Sequence, residues 1–253
     1  MKLAKYKNLS LILITGPSNQ GLQKKLDVDI GQVEVPNPYD SSRSILFGFD
    51  TNHANKNWRN KAMDAKYIKF KNGFKFCKKD FEQLLRKCND GSIALGKIRD
   101  IHLNCKSSDR QTTQLANELF SETTACLFRD LFPNDPQKLA LADMISCLDK
   151  ARNLLTSHVD FSEDVSKAPF EMYYEEQMKI LQDANWYYTN VEDMGRCVFH
   201  KGAQITIECI IKLYNILSNP PYNVKYFKTL PLTTDDLERF FGTIKGMWSN
   251  RYV

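Results

Sequence analysis

"SILFGFDTNHANKNWRN", residues 44–60, changes its period in the middle. Ser44 to Asp50 is a short apolar run of strand length. After Asp50 the pattern changes, and Ala54 to Ala65 reads as a helix. A second apolar run, residues 9–15, has the same length, so the two are expected side by side in one sheet. "VPNPYDSSRS", residues 35–44, breaks any regular pattern between them with two prolines and paired serines. A strand feeding a helix beside a second strand points to an α/β unit.

Asp50 closes that strand and is followed by His53, Lys56, Arg59 and Asn60. On a helix these residues crowd one end of the sheet with a carboxylate, an imidazole and two cations, which suits a phosphodiester backbone. The plainer reading is that Asp50 caps the helix and pairs with Lys56 or Arg59 on the surface. The residues alone leave both open.

Upstream, "ILITGPSNQGLQKKL", residues 12–26, spaces Gly16 and Gly21 as a phosphate-binding loop would. Leu22 and Gln23 then stand where such a loop needs its lysine and hydroxyl, so the spacing carries no nucleotide site. The start, "MKLAKYKNLSLILIT", mimics a signal peptide, but its apolar run is short and no small-residue cleavage site follows. It is read as a buried strand. No other stretch approaches the length of a membrane span.

The 253 residues are 42% hydrophobic and carry a net charge of +5. That charge is uneven. Residues 56–90 hold eleven Lys or Arg against four acids, a local +7, leaving −2 for the rest. Seven cysteines without a C-x-x-C pair suit neither a disulfide framework nor a zinc ribbon, and point to a reducing compartment. His102 with Cys105 is the nearest approach to a ligand pair, and no metal is assigned to it.

Within the basic segment, "YIKFKNGFKF", residues 67–76, pivots on Asn72-Gly73. A three-residue loop, Lys71 to Gly73, pairs Phe70 with Phe74 and Ile68 with Phe76, and puts Gly73 in the left-handed region. Lys69, Lys71 and Lys75 then become candidate phosphate contacts beside Phe70, Phe74 and Phe76. The competing reading makes those aromatics core and the lysines a solvated face.

Helical patterns follow. One starts at Ser108, with Gln111 as its capping-box partner and Leu115, Leu119, Phe120, Thr123 and Leu127 as its stripe. Others are expected at about 137–156, 171–184 and 203–218. A last amphipathic helix begins near Asp235 with Leu237, Phe240, Phe241, Ile244 and Trp248 on one face. Its first-turn acids, Asp235, Asp236 and Glu238, are explained as well by the helix dipole as by chemistry.

Taken together, three stretches resemble one family. "TTDDLERFFGTIKG" (233–246) resembles the T-Q-D-x-L-E-x-F-F-G-x-I-R motif of P element-type transposases, which include the THAP-domain transposases. "DTNHANKNWRN" (50–60) resembles the family's D-P-P-H-L-x-K-x-x-R-N motif. "DRQTTQLANELFSETTACLF" (109–128) is similar to its A-x-x-L-F-S-x-x-x-A segment, and the three occur in the family's order across nearly the whole chain.

The resemblance implies a mixed fold, α/β plus mostly α: a partial RNase H-like core interrupted by a largely helical, GTP-binding insertion. The segments would be 1–65 for the core strands and basic helix, 66–228 for the insertion and 229–253 for the final core helix. It further implies a triad of acids holding Mg²⁺ for DNA strand transfer. Glu238 matches the third acid and a metal ligand. Asp235 matches the motif's Asp, serving the metal or GTP. Asp50, His53, Lys56 and Arg59 match the strand-end motif.

In the family a T-D-G sequence follows the first of these strands and its Asp belongs to the triad. Here Thr15 is followed directly by Gly16, so that acid is missing. The expectation is a truncated, catalytically inactive relative with GTP, Mg²⁺, DNA and a second copy of itself as partners, acting in the nucleus. The alternative is a non-enzymatic nucleic-acid-binding protein built on residues 56–90.

Overall fold

The computed structural model of the chain describes residues 9–14, 21, 23–91, 98–192, 194–195 and 197–233. Its first sheet holds β1 (Leu9–Ile14), β2 (Glu34–Asn37) and β3 (Asp40–Phe49) in the order β1-β3-β2. β1 runs parallel to β3 from Leu9↔Ser44 to Ile14↔Phe49, and β2 is antiparallel to β3. The two apolar runs therefore lie side by side as expected. The second half of β3 is buried on both faces from Ile45 to Gly48, which explains the apolar run there, while Asp40 to Ser42 are exposed. Ile45 and Phe47 pack with Val28 and Val35, while Leu46 packs with Cys209, Leu213 and Leu217.

After β3 come α1 (Thr51–Asp64), the hairpin β4 (Ile68–Phe70) and β5 (Lys75–Phe76), and α2 (Lys78–Asp90). The hairpin has the expected register. Ile68 pairs with Phe76, Phe70 N–H donates to Phe74 O at 2.8 Å, and Gly73 sits at φ +85°, where only glycine is unstrained. Phe70, Phe74 and Phe76 are core residues, as the plainer reading had it. Phe70 and Phe76 both meet Trp58 of α1 with ring centroids 6.4 Å apart.

α3 (Asp100–Leu103), α4 (Thr113–Leu119), α5 (Glu122–Leu131), α6 (Pro136–Leu155), α7 (Tyr174–Asn190), the short β6 (Val191–Glu192) and α8 (Phe199–Ser218) complete the regular elements. β6 adds to the free side of β4. The helix expected from Ser108 is two helices. Thr112 is extended, and the chain breaks again at Ser121, whose hydroxyl accepts from Thr124 N–H and donates to Glu118 O. Ser121 thus caps a new helix where the apolar stripe alone runs straight through. Pro136 opens α6 rather than merely ending its predecessor, with Asp135 capping Gln137 and Lys138 N–H.

α8 joins the sheet to the helical part. Thr206 Oγ1 accepts from Phe49 N–H at 2.8 Å and lies equally close to Phe49 O. Beside it Gly202 meets the Phe49 ring so closely that a Cβ would stand 2.8 Å from it. Glu208 accepts from Gly31 N–H, and Lys212 pairs with Glu34 at 3.0 Å. The Thr206 bonds hold the end of β3 next to Asp50, and the other two hold β2 and the loop before it.

Candidate nucleic-acid interface

Asp50 leaves β3 in extended geometry and caps α1, its carboxylate accepting from His53 N–H at 3.0 Å. The carboxylate is fully buried, and His53 Nδ1 lies 3.4 Å away. The capping role read from the sequence is therefore present. Arg59 makes no surface pair with Asp50, because its donors are directed elsewhere.

Arg59 is fully buried. Its guanidinium donates to Cys105 Sγ at 2.8 Å, Asp109 O at 3.1 Å and Arg110 O at 2.8 Å. Burial pulls its pKa below the ordinary value, with Cys105 opposing that shift. Asn60 adds a bond to Arg110 O at 3.3 Å, and the Arg110 side chain grips Asp64. Asn55 binds Asn117 on α4 at 2.6 Å. The polar face of α1 is thus a clasp on the 105–111 loop and α4. Lys56 is also buried, at 6% exposure.

The ligand-like pair His102 and Cys105 belongs to the same clasp. The buried His102 bonds Glu118 at 2.7 Å through Nε2, and Cys105 donates to Ile101 O at 2.8 Å. Glu118 resists the upward push of its own burial, because Gln114 and His102 donate to it and hold its pKa low. No group of three His, Cys, Asp or Glu gathers as a metal cluster among the described residues. Asp235 and Glu238, with Thr15, Gly16 and Asn19, lie outside the described residues.

Outside α1 the expected cations divide. Lys69 pairs with Glu192 across β4 and β6 at 2.9 Å. Lys71 and Lys75 are exposed. Lys75 opens onto a cleft of about 650 Å³ that Lys66, Tyr67, Lys78 and Lys79 also line. These four residues were not singled out from the sequence, yet the hairpin register brings three of them, Lys66, Tyr67 and Lys78, to its open end. Extending Ile68↔Phe76 by two positions sets Lys66 and Tyr67 opposite Lys78 and Cys77.

Two acids also line the cleft. Asp80 accepts from Cys77 N–H at 2.7 Å and is paired with Lys138, while Glu82 lies 3.9 Å from Lys78. Lys66, Lys75 and Lys79 make no ion pair among the described residues. A low-dielectric cleft rimmed by such cations focuses a positive potential on its mouth. A second cleft, of about 610 Å³ between α5, α6 and α7, differs. There Arg129 is held by Glu122 and Asp143, and Lys179 by Asp183.

A strand-end acid on a three-stranded mixed sheet is thus joined to a helical body with a cationic cleft. Over 248 residues the chain is 26% identical to the Transposable element P transposase of Drosophila melanogaster, covering 95% of this chain and 33% of that protein. It also superposes on the solved Drosophila P element transposase strand transfer complex with a TM-score of 0.86 and 25% identity, over 95% of this chain and 56% of that one. No family model matches. The chain is thus homologous to the P element transposase, as the motifs indicated, and spans about a third of that relative's length.

Proposed function

We propose that the chain is a transposase-derived DNA-binding protein that acts in the nucleus, binds GTP and carries out no strand transfer. The observation that carries this reading is the continuous match to a transposase through both the sheet and the helical body. The β1-β3-β2 sheet is read as part of an RNase H-like core and residues 66–228 as its insertion, with α8 as the contact between them. Loss of strand transfer follows from the Thr15-Gly16 junction, which lacks the acid of T-D-G.

Within the described residues Asp50 and His53 supply too few ligands for two ions, so no catalytic step is derived through Mg²⁺. The 610 Å³ cleft has room for a nucleotide. Its cations other than Lys150 are paired with acids, so none of its residues is assigned to GTP.

Calorimetric titration of purified protein with GTP and Mg²⁺ tests the cofactor. Heat and thermal stabilisation are expected, and neither at millimolar GTP removes it. Filter binding of duplex DNA in rising salt tests the DNA reading, which expects a steep fall in affinity. A strand-transfer assay with Mg²⁺ should show no joined product, and any product overturns the inactive assignment. The second reading, a non-enzymatic nucleic-acid module on residues 56–90, is favoured by one observation: the unpaired lysines of the 650 Å³ cleft.

A further inference from the structure

We propose that the cleft between the end of α1, β5 and the start of α2 binds single-stranded DNA, with an unpaired base stacked on Tyr67 and its flanking phosphates on Lys66, Lys75 and Lys79. The inference rests on the DNA-binding reading and adds the form of the nucleic acid and the residues that take it. The lysines come from the turn after α1, from β5 and from α2 and converge on one cavity, unlike a solvated helix face, whose charges diverge. Tyr67 lies on the same cleft with 46% of its surface exposed. An exposed ring beside cations is the pairing that single strands use, because every unpaired base offers a face to stack on.

The floor supports this choice. Phe76 and Met63 line it, giving the sugar and base an apolar bed, while Asp80 is occupied by Lys138 and the Cys77 N–H. The other acid in the described lining, Glu82, stands 3.9 Å from Lys78. A cleft of 650 Å³ has the size of a small-ligand pocket, room for one or two nucleotides. Duplex DNA, with its bases stacked and paired, reaches only the lysine rim and cannot offer a base to Tyr67.

The shared chemistry, a planar base next to a phosphate, also belongs to a free nucleotide, and the test separates the two. Fluorescence anisotropy of a labelled mixed-sequence DNA 12-mer is measured as single strand and as duplex, with dGMP as competitor. The expected result is that Tyr67→Ala weakens single-strand binding about tenfold, that Tyr67→Phe restores it, and that duplex binding is unmoved. Replacing Lys66, Lys75 and Lys79 together by Gln should flatten the slope of log K against log salt by about 2 for the single strand.

A 5-iodouracil 12-mer irradiated with the unaltered protein should give an adduct on Tyr67, a readout independent of any variant's folding. Wild-type affinity in Tyr67→Ala, absence of the Tyr67 adduct, or equal competition by dGMP per nucleotide overturns the proposal. If duplex DNA still binds in those cases, the DNA reading stands without it. If neither form binds, both fall.

Discussion

The polar face of α1 and the lysines around the β4-β5 hairpin belong to one basic segment, and they spend their charge in opposite ways. On α1, Arg59 and Lys56 are buried, and Arg59 gives its donors to the 105–111 loop. At the hairpin, Lys66, Lys75 and Lys79 face an open cleft with no acid held against them among the described residues. Basic residues at helical spacing therefore do not by themselves mark a ligand surface. The distinction lies in what the fold sets opposite them.

Arg59→Met is the strongest way to break this contrast. It leaves two backbone carbonyls and the Cys105 sulfur without their donor in a buried site, at a cost of about 3 kcal/mol. For a protein of this size the melting temperature should fall by roughly 6–12 °C, read by calorimetry. The salt slope of DNA binding, measured below that transition, should stay as in the unaltered protein. A changed slope with unchanged melting would place Arg59 on the DNA instead.

Gly202→Ala comes next, and it acts on the platform that sets Asp50. A Cβ would stand 2.8 Å from the Phe49 ring, so α8 or the strand end must shift. The expected loss is about 1–3 kcal/mol by denaturant titration. Asp50→Ala should cost less, about 1 kcal/mol, if its work within the described structure is to cap α1. Asp50→Asn should recover most of that loss, since an amide oxygen also accepts from His53 N–H. Failure of Asn to recover it would mean that the negative charge, and not the cap, is what the site needs.

The contrast also shows which parts of the structure were legible beforehand. The hairpin register, the side-by-side placing of β1 and β3 and the extent of α6 follow from local period, turn chemistry and prolines, and all three are present. The parallel sense of the β1–β3 pairing lies outside that pattern, and α8 starts at Phe199, ahead of the expected 203. The break at Ser121 was hidden because the apolar stripe continues through it, while the cap that causes it depends on Glu118 O being within reach. Arg59's role was hidden for a different reason. Its partners lie 46 to 51 residues downstream, on a loop whose position no periodicity encodes. Lys66, Tyr67, Lys78 and Lys79 were countable as charge and aromatic content but become a site only once β4 and β5 pair.

The smallest effect, and the one that most sharply separates clasp from cleft, is in acid. The bond from Arg110 holds the Asp64 carboxyl below its ordinary pKa, and burial opposes this only in part. A depressed pKa in the folded state means that Asp64 contributes stability above its unfolded pKa, near 4, and loses it as pH falls through the lower folded value. Asp64 is largely exposed, so the contribution is modest. The melting temperature of the unaltered protein should therefore decline below about pH 4 more steeply than that of Asp64→Asn, and the two curves should run parallel above pH 5. Lys66, Lys75 and Lys79 make no ion pair among the described residues. Replacing them by Gln should leave this acid limb in place, while any change in its steepness would tie the cleft to the clasp.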